Sequence, residues 1–152
     1  MDITRTDVLK MLLYAPGSSR TPNRFITGRT RLQKEVFLAQ KALGDRGMRR
    51  KYGFMPYHYG PFSRQLYFDV NLLKKQGLVN ETVRLEEEKG VYREFSLTNQ
   101  GIDEVRNLLQ IPKFLEIYKI VAKIKKDYDG MQLRDLVDLT HREYPEYVGK
   151  DT

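Results

Sequence analysis

The chain has no cysteine and only two histidines among its 152 residues. Without cysteine there is no disulfide, iron-sulfur cluster, zinc finger or thiol nucleophile, and two histidines leave little for any other metal site. Long apolar runs are missing as well. None approaches the roughly 20 residues needed to cross a bilayer, and the opening MDITRTDVLK lacks the apolar core of a signal peptide. The expectation is a cytoplasmic protein with no membrane partner. Neither a Gly-x-Ser-x-Gly elbow nor a phosphate-cradling glycine loop occurs, and no internal repeat or low-complexity segment interrupts the chain. His58, Ser63 and Asp69 lie close in sequence, yet Ser63 is better placed as a helix N-cap than as a nucleophile. Asp138 and His141, three residues apart, read as a helix-surface pair rather than a metal site. The reading is therefore of a non-enzymatic protein without a cofactor.

What is present suffices for one domain. The length is near the commonest domain size, 40% of residues are apolar and 31% charged, and a fold of this size buries roughly 70% of its unfolded surface. The net charge of +7 is concentrated at one end. Residues 1–52 carry 12 Lys/Arg against 4 Asp/Glu, residues 53–100 balance at 6 and 6, and residues 101–152 hold 9 against 10. Such a patch attracts polyanions, nucleic acid first among them; the plain alternative is a solvated surface.

Periodicity divides the chain into helices and one hairpin. A first helix begins at Thr4 or Thr6, carries Val8, Leu9, Leu12 and Leu13, and stops at Pro16-Gly17. GSSRTPNRF reads as a long basic loop. Thr30 and Gln33 fit a capping box ahead of Leu32, Val36, Ala39 and Leu43, an amphipathic second helix ending at Gly44. In MPYHYGPFSRQL, Met55, Tyr57 and Tyr59 are expected to alternate into the core along a short extended segment, Gly60-Pro61 to turn, and Ser63 to cap a third helix over about 63–76. That helix turns Leu66, Val70 and Leu73 inward. LVNETVRL and VYREFSL are two strands joined through Gly90, Thr98 caps a further helix closed by Pro112, and two more helices follow on either side of Gly130. Phe114, Ile117, Val121 and Ile124 stripe the first of these, fit either for the core or for a homodimer contact.

This order predicts a mostly helical α+β fold: a single winged helix-turn-helix domain over 1–152, with a core at about 1–111, a β-hairpin wing, and additional C-terminal helices at about 112–145. LLKKQGLV followed by REFSLTNQG resembles the wing end of regulators of the MarR and PadR type. More closely, RLQKEVFLAQKAL, FMPYHYGPFSRQL and LLKKQGLV together resemble YwgA-like proteins and the related SocA-like, or Panacea, antitoxin domains. The resemblance implies action by binding, in the antitoxin case to a protein toxin, and brings no catalytic residues.

The candidate site is the outer face of the third helix, with Arg64, Tyr67, Phe68, Asn71, Lys74 and Lys75. Arg and Lys suit phosphates or guanine edges, and Asn can pair with adenine. Arg20, Arg24, Arg29, Arg31, Arg49, Arg50 and Lys51 are candidates for phosphate contacts. The leading expectation is a DNA-binding transcriptional regulator. The alternative is an antitoxin-like adaptor that binds a protein through the same face, which the aromatics and the three glutamates at the wing tip, Glu86 to Glu88, favour.

Overall fold

The computed structural model describes residues 2–17, 24–46, 48–88 and 90–149. Strand β1 (Ile3–Thr4) runs into helix α1 (Arg5–Tyr14) through a capping box. The Thr4 hydroxyl accepts from the Asp7 N–H at 3.1 Å, and the Asp7 carboxylate accepts from the Thr4 N–H at 3.1 Å. Val8, Leu9 and Leu12 are fully buried. Within the expected loop, strand β2 (Phe25–Thr27) forms, while Arg20 lies outside the described residues.

Helix α2 (Arg29–Leu43) starts from Gly28, whose φ of 90° is open to glycine, and not from a Thr30 capping box. The Gln33 side chain is bonded to the backbone of Ser63 instead. Nor is α2 amphipathic: every residue from Leu32 to Ala39 is buried, because α1, β2, α5 and α6 all pack around it. Strand β3 (Met48–Arg49) pairs in parallel with β1.

Strands β4 (Met55–Tyr57) and β5 (Gly60–Phe62) form a tight antiparallel hairpin. This corrects the expected inward alternation, since Met55, Tyr57 and Tyr59 are all exposed and it is Gly60 and Pro61 that are buried. Gly60 is favoured chiefly by its backbone. Its φ is +102°, and a Cβ there would stand 3.2 Å from the Lys34 side chain.

Helix α3 (Arg64–Lys75) buries Leu66, Val70 and Leu73. After Gly77, strands β6 (Val79–Glu86) and β7 (Gly90–Leu97) pair antiparallel, and β2 joins the other edge of β7. The sheet order is β2-β7-β6. Thr98 caps helix α4 (Asn99–Leu108) by accepting from the Gly101 N–H at 3.0 Å. Pro112 opens helix α5 (Pro112–Tyr128) rather than closing α4, as suits a residue that lacks an N–H. Helix α6 (Leu133–Glu143) follows. The Phe114, Ile117 and Val121 stripe of α5 is buried against α1 and α2, so this stripe serves the core. Among the described residues, no helix is long and apolar enough to cross a membrane.

Candidate functional site

Three glutamines and one carboxylate hold α3 in place. Gln33 clamps Ser63, its Oε1 accepting from the Ser63 N–H at 2.8 Å and its Nε2 donating to the Ser63 carbonyl at 2.9 Å. Gln40 does the same to Tyr52, at 2.8 and 2.9 Å. The Gln65 carbonyl accepts from the Gly53 N–H at 2.8 Å. Ser63 stands at the N-cap position, but its hydroxyl makes no capping bond and is buried without a partner, so the backbone clamp replaces the expected cap. From within α3, the buried Asp69 carboxylate accepts from Arg5 Nε at 2.7 Å and from the Tyr52 hydroxyl at 2.7 Å. Burial and the neighbouring Asp69 charge push the Tyr52 hydroxyl far up, and the hydrogen bond to Asp69 pushes the Arg5 guanidinium up.

The helix then presents Arg64, Phe68, Asn71 and Lys75 outward, at i, i+4, i+7 and i+11. Phe68 is 65% exposed. Beside it lies a cavity of about 380 Å³ whose wall includes Leu72, Asp69, Arg5 and Arg50. Arg50 is therefore brought to this face, its backbone held at a φ of 52°. Arg64, Asn71, Lys75 and Arg50 have no hydrogen-bond or ion-pair partner among the described residues, so their charges and donors face solvent.

The other predicted residues have structural partners. Glu81 on β6 accepts from Lys74 Nζ at 3.0 Å, Arg93 Nη1 at 3.0 Å and Arg29 Nη2 at 3.2 Å. Burial alone would push the Glu81 carboxyl up; the bonds from Lys74 and Arg29 outweigh it and hold the carboxyl below its usual value. Arg29 also lies over the half-buried Tyr67 ring, 5.6 Å from its centre. Arg31 donates to the carbonyls of Tyr128, Asp129 and Met131, where it ties down the C-terminal end of α5. Arg24 stacks on the Tyr14 ring at 4.4 Å. Lys51 pairs with Asp45 at 3.6 Å. The Arg49 side chain lies outside the described residues.

At the far end of the β6–β7 hairpin, Glu86, Glu87 and Glu88 are exposed. On one face of the same hairpin, Val83, Leu85 and Val91 are 57%, 78% and 69% exposed. The hairpin end is thus acidic at its tip and apolar on one side.

Sequence reasoning missed the Gln33 and Gln40 clamps, the Arg5–Asp69–Tyr52 triad and the Glu81 hub. One signal was present: Gln33 and Gln40 stand seven residues apart, on the same side of α2 as Val36, and a polar pair on a buried face must find partners. No protein-family model matches the chain, and no curated protein matches it.

Proposed function

We propose that the chain is a winged-helix protein acting by binding, and that the outer face of α3 docks a protein partner presenting an apolar group within an acidic surround. The observation that carries this is Phe68, exposed at the rim of the cavity it shares with Leu72 and flanked by the unpaired cations Arg50, Arg64 and Lys75. A large apolar side chain in a ring of unspent charge is how interfaces place an anchor within a polar rim. The winged-helix reading is supported by the succession α1, β2, α2, α3, β6, β7, with the short strands β3 to β5 between α2 and α3, and by the sheet order β2-β7-β6. The resemblance of RLQKEVFLAQKAL and MPYHYGPFSRQL to SocA-like antitoxin domains points the same way.

The second reading is DNA binding, favoured by the net charge of +7 and by Arg64, Asn71 and Lys75 on a helix of the right length. Against it stand three glutamates at the hairpin tip, where phosphates would pass, and the engagement of Lys74, Arg29 and Arg31 with the protein's own carboxylate and carbonyls.

The two readings separate in one set of measurements. On the protein reading, a partner captured from the host of origin is lost with Phe68→Ala and with Lys75→Glu, and kept with Lys51→Ala. Capture indifferent to both changes on α3 overturns it. Duplex retardation at about 50 mM salt that vanishes by about 200 mM, with no partner captured, establishes the second reading instead.

A further inference from the structure

Lys34 is 2% exposed, and among the described residues its ammonium has neither a hydrogen-bond nor an ion-pair partner. Buried lysines are normally paired, because an ammonium removed from water without a counter-charge is among the least favourable arrangements in a fold. Lys34 is not walled into solid core. It lines an open cavity of about 210 Å³ together with Thr30 from its own helix, Tyr57, Tyr59 and Phe62 from the β4–β5 hairpin, and Tyr67 from α3. The rings form a connected wall: Tyr57 stacks on Phe62 at 4.9 Å, and Phe62 meets Tyr67 edge to face at 5.6 Å. Gly60 also lines the cavity, and a Cβ on it would stand 3.2 Å from Lys34 Cε, 3.4 Å from Thr140 Oγ1 and 3.5 Å from His141 Cδ2 of α6.

We propose that this cavity binds a small organic carboxylate with a flat apolar body, the carboxylate paired with the Lys34 ammonium and the body lying against Tyr57, Phe62 and Tyr67. Each element of the choice follows from the wall. Aromatic rings alone would also suit a cation, but the ammonium in their midst repels one. None of the residues lining the cavity is a carboxylate, so an acidic ligand meets the Lys34 ammonium there and no like charge on the wall. Burial lowers Lys34 to about 8, which leaves the ammonium as its main form at neutral pH. The volume equals that of about seven waters at roughly 30 Å³ each, which admits a single ring with its head group and excludes anything of drug size. The site is separate from the outer face of α3, and neither depends on the other's partner being correct.

The test is a titration of the uniformly ¹⁵N-labelled protein with benzoate, followed by amide shifts. The expected result is saturable movement centred on Lys34, Tyr59, Gly60 and Tyr67. Benzamide, which has the ring without the charge, and acetate, which has the charge without the ring, should each bind at least about tenfold more weakly. Lys34→Met should weaken benzoate by a similar factor while leaving the remaining amide spectrum in place. Absence of saturable shifts up to about 10 mM benzoate overturns the proposal. Equal affinity for benzamide, or for the Lys34→Met protein, overturns it as well. Should the variant not fold, the three-ligand comparison on the native protein decides alone.

Discussion

Gln33 holds Ser63 by both of that residue's backbone groups, at 2.8 and 2.9 Å, in a fully buried setting. A side chain on one helix thereby completes the backbone hydrogen bonding of the residue that starts another, and the orientation of α3 becomes a property of α2. Truncation at Gln33 strands a buried N–H and a buried carbonyl, each of which costs about 1–3 kcal/mol when left without a partner. Gln33→Ala should therefore destabilise the protein by about 3 kcal/mol, and Gln33→Glu, which loses the donor and sets a buried carboxylate against the Ser63 carbonyl, by at least as much. Urea unfolding of the three proteins at neutral pH measures this. A loss below about 0.5 kcal/mol for the alanine variant would show that water replaces the clamp.

The Arg5–Asp69–Tyr52 triad makes a graded prediction. The Asp69 side chain is 3% exposed and that of Arg5 is 22%, so the carboxylate depends on its partners more than the guanidinium does. Arg5→Met leaves a buried carboxylate with only the Tyr52 hydroxyl, a loss of about 3 kcal/mol. Tyr52→Phe removes one hydrogen bond while the ion pair persists, a loss of about 1 kcal/mol. The ranking is the content of the prediction, and thermal unfolding that reverses it would mean that the pair is solvated in practice.

Much of α3 was legible in the sequence, and the reasons are local. Leu66, Val70 and Leu73 recur at helical spacing and are buried, and Arg64, Phe68 and Asn71 on the far side are exposed. Thr98 caps α4 through a bond three residues long, and Gly90 takes the positive φ of 70° that its hairpin turn needs. What stayed hidden depends on distant segments. Phe25–Thr27 becomes a strand only because Phe95 and its neighbours on β7 offer an open edge some seventy residues later. Lys34 and Glu35 fall where a solvent-facing side of α2 was expected, and α5 and α6 cover that side. Tyr57 and Tyr59 read as core by alternation, yet the two-residue hairpin keeps them on the surface, where they line the Lys34 cavity. The basic first third looked like a phosphate surface because composition counts charges without their partners. Arg29 and Arg31 are both engaged by groups at least fifty residues away.

Glu35 makes the stability of the fold depend on pH. Its carboxyl is fully buried, and burial first, then the Asp129 carboxylate beside it, push it well above its ordinary value of 4.5. Glu35 therefore keeps its proton in the folded chain at a pH where the unfolded chain has released it. The folded state binds more protons, so this group's contribution to stability is present below about pH 4.5 and declines as pH rises toward the folded value. Glu35→Gln retains a donor toward Asp129 and removes the titration. The stability of the variant minus that of the native protein should rise steadily from pH 4.5 to 7.5 in urea titrations. A difference that is flat with pH would sink the assignment of a protonated Glu35.

Glu81 offers a way to set the two binding readings against each other without knowing the partner. Its carboxylate engages Lys74, Arg29 and Arg93, and two of these were candidates for contact with nucleic acid. Glu81→Gln keeps the shape of the side chain, removes one negative charge and leaves all three cations without a counter-ion. On the DNA reading the change converts spent charge into available charge. Duplex affinity should rise, and the slope of log affinity against log salt should steepen by up to about 2, roughly 0.9 for each of Lys74 and Arg29 that reaches a phosphate. On the protein reading, Phe68 and its flanking cations are untouched, so capture of the partner stays within about twofold, the scatter expected of a change at a rim. The same carboxylate also ties α3 to β6, and only the wild-type melting temperature licenses the comparison. A variant that melts as the native protein does, gains no duplex affinity and keeps its partner leaves Phe68 rather than the basic charge as the determinant of what this face binds.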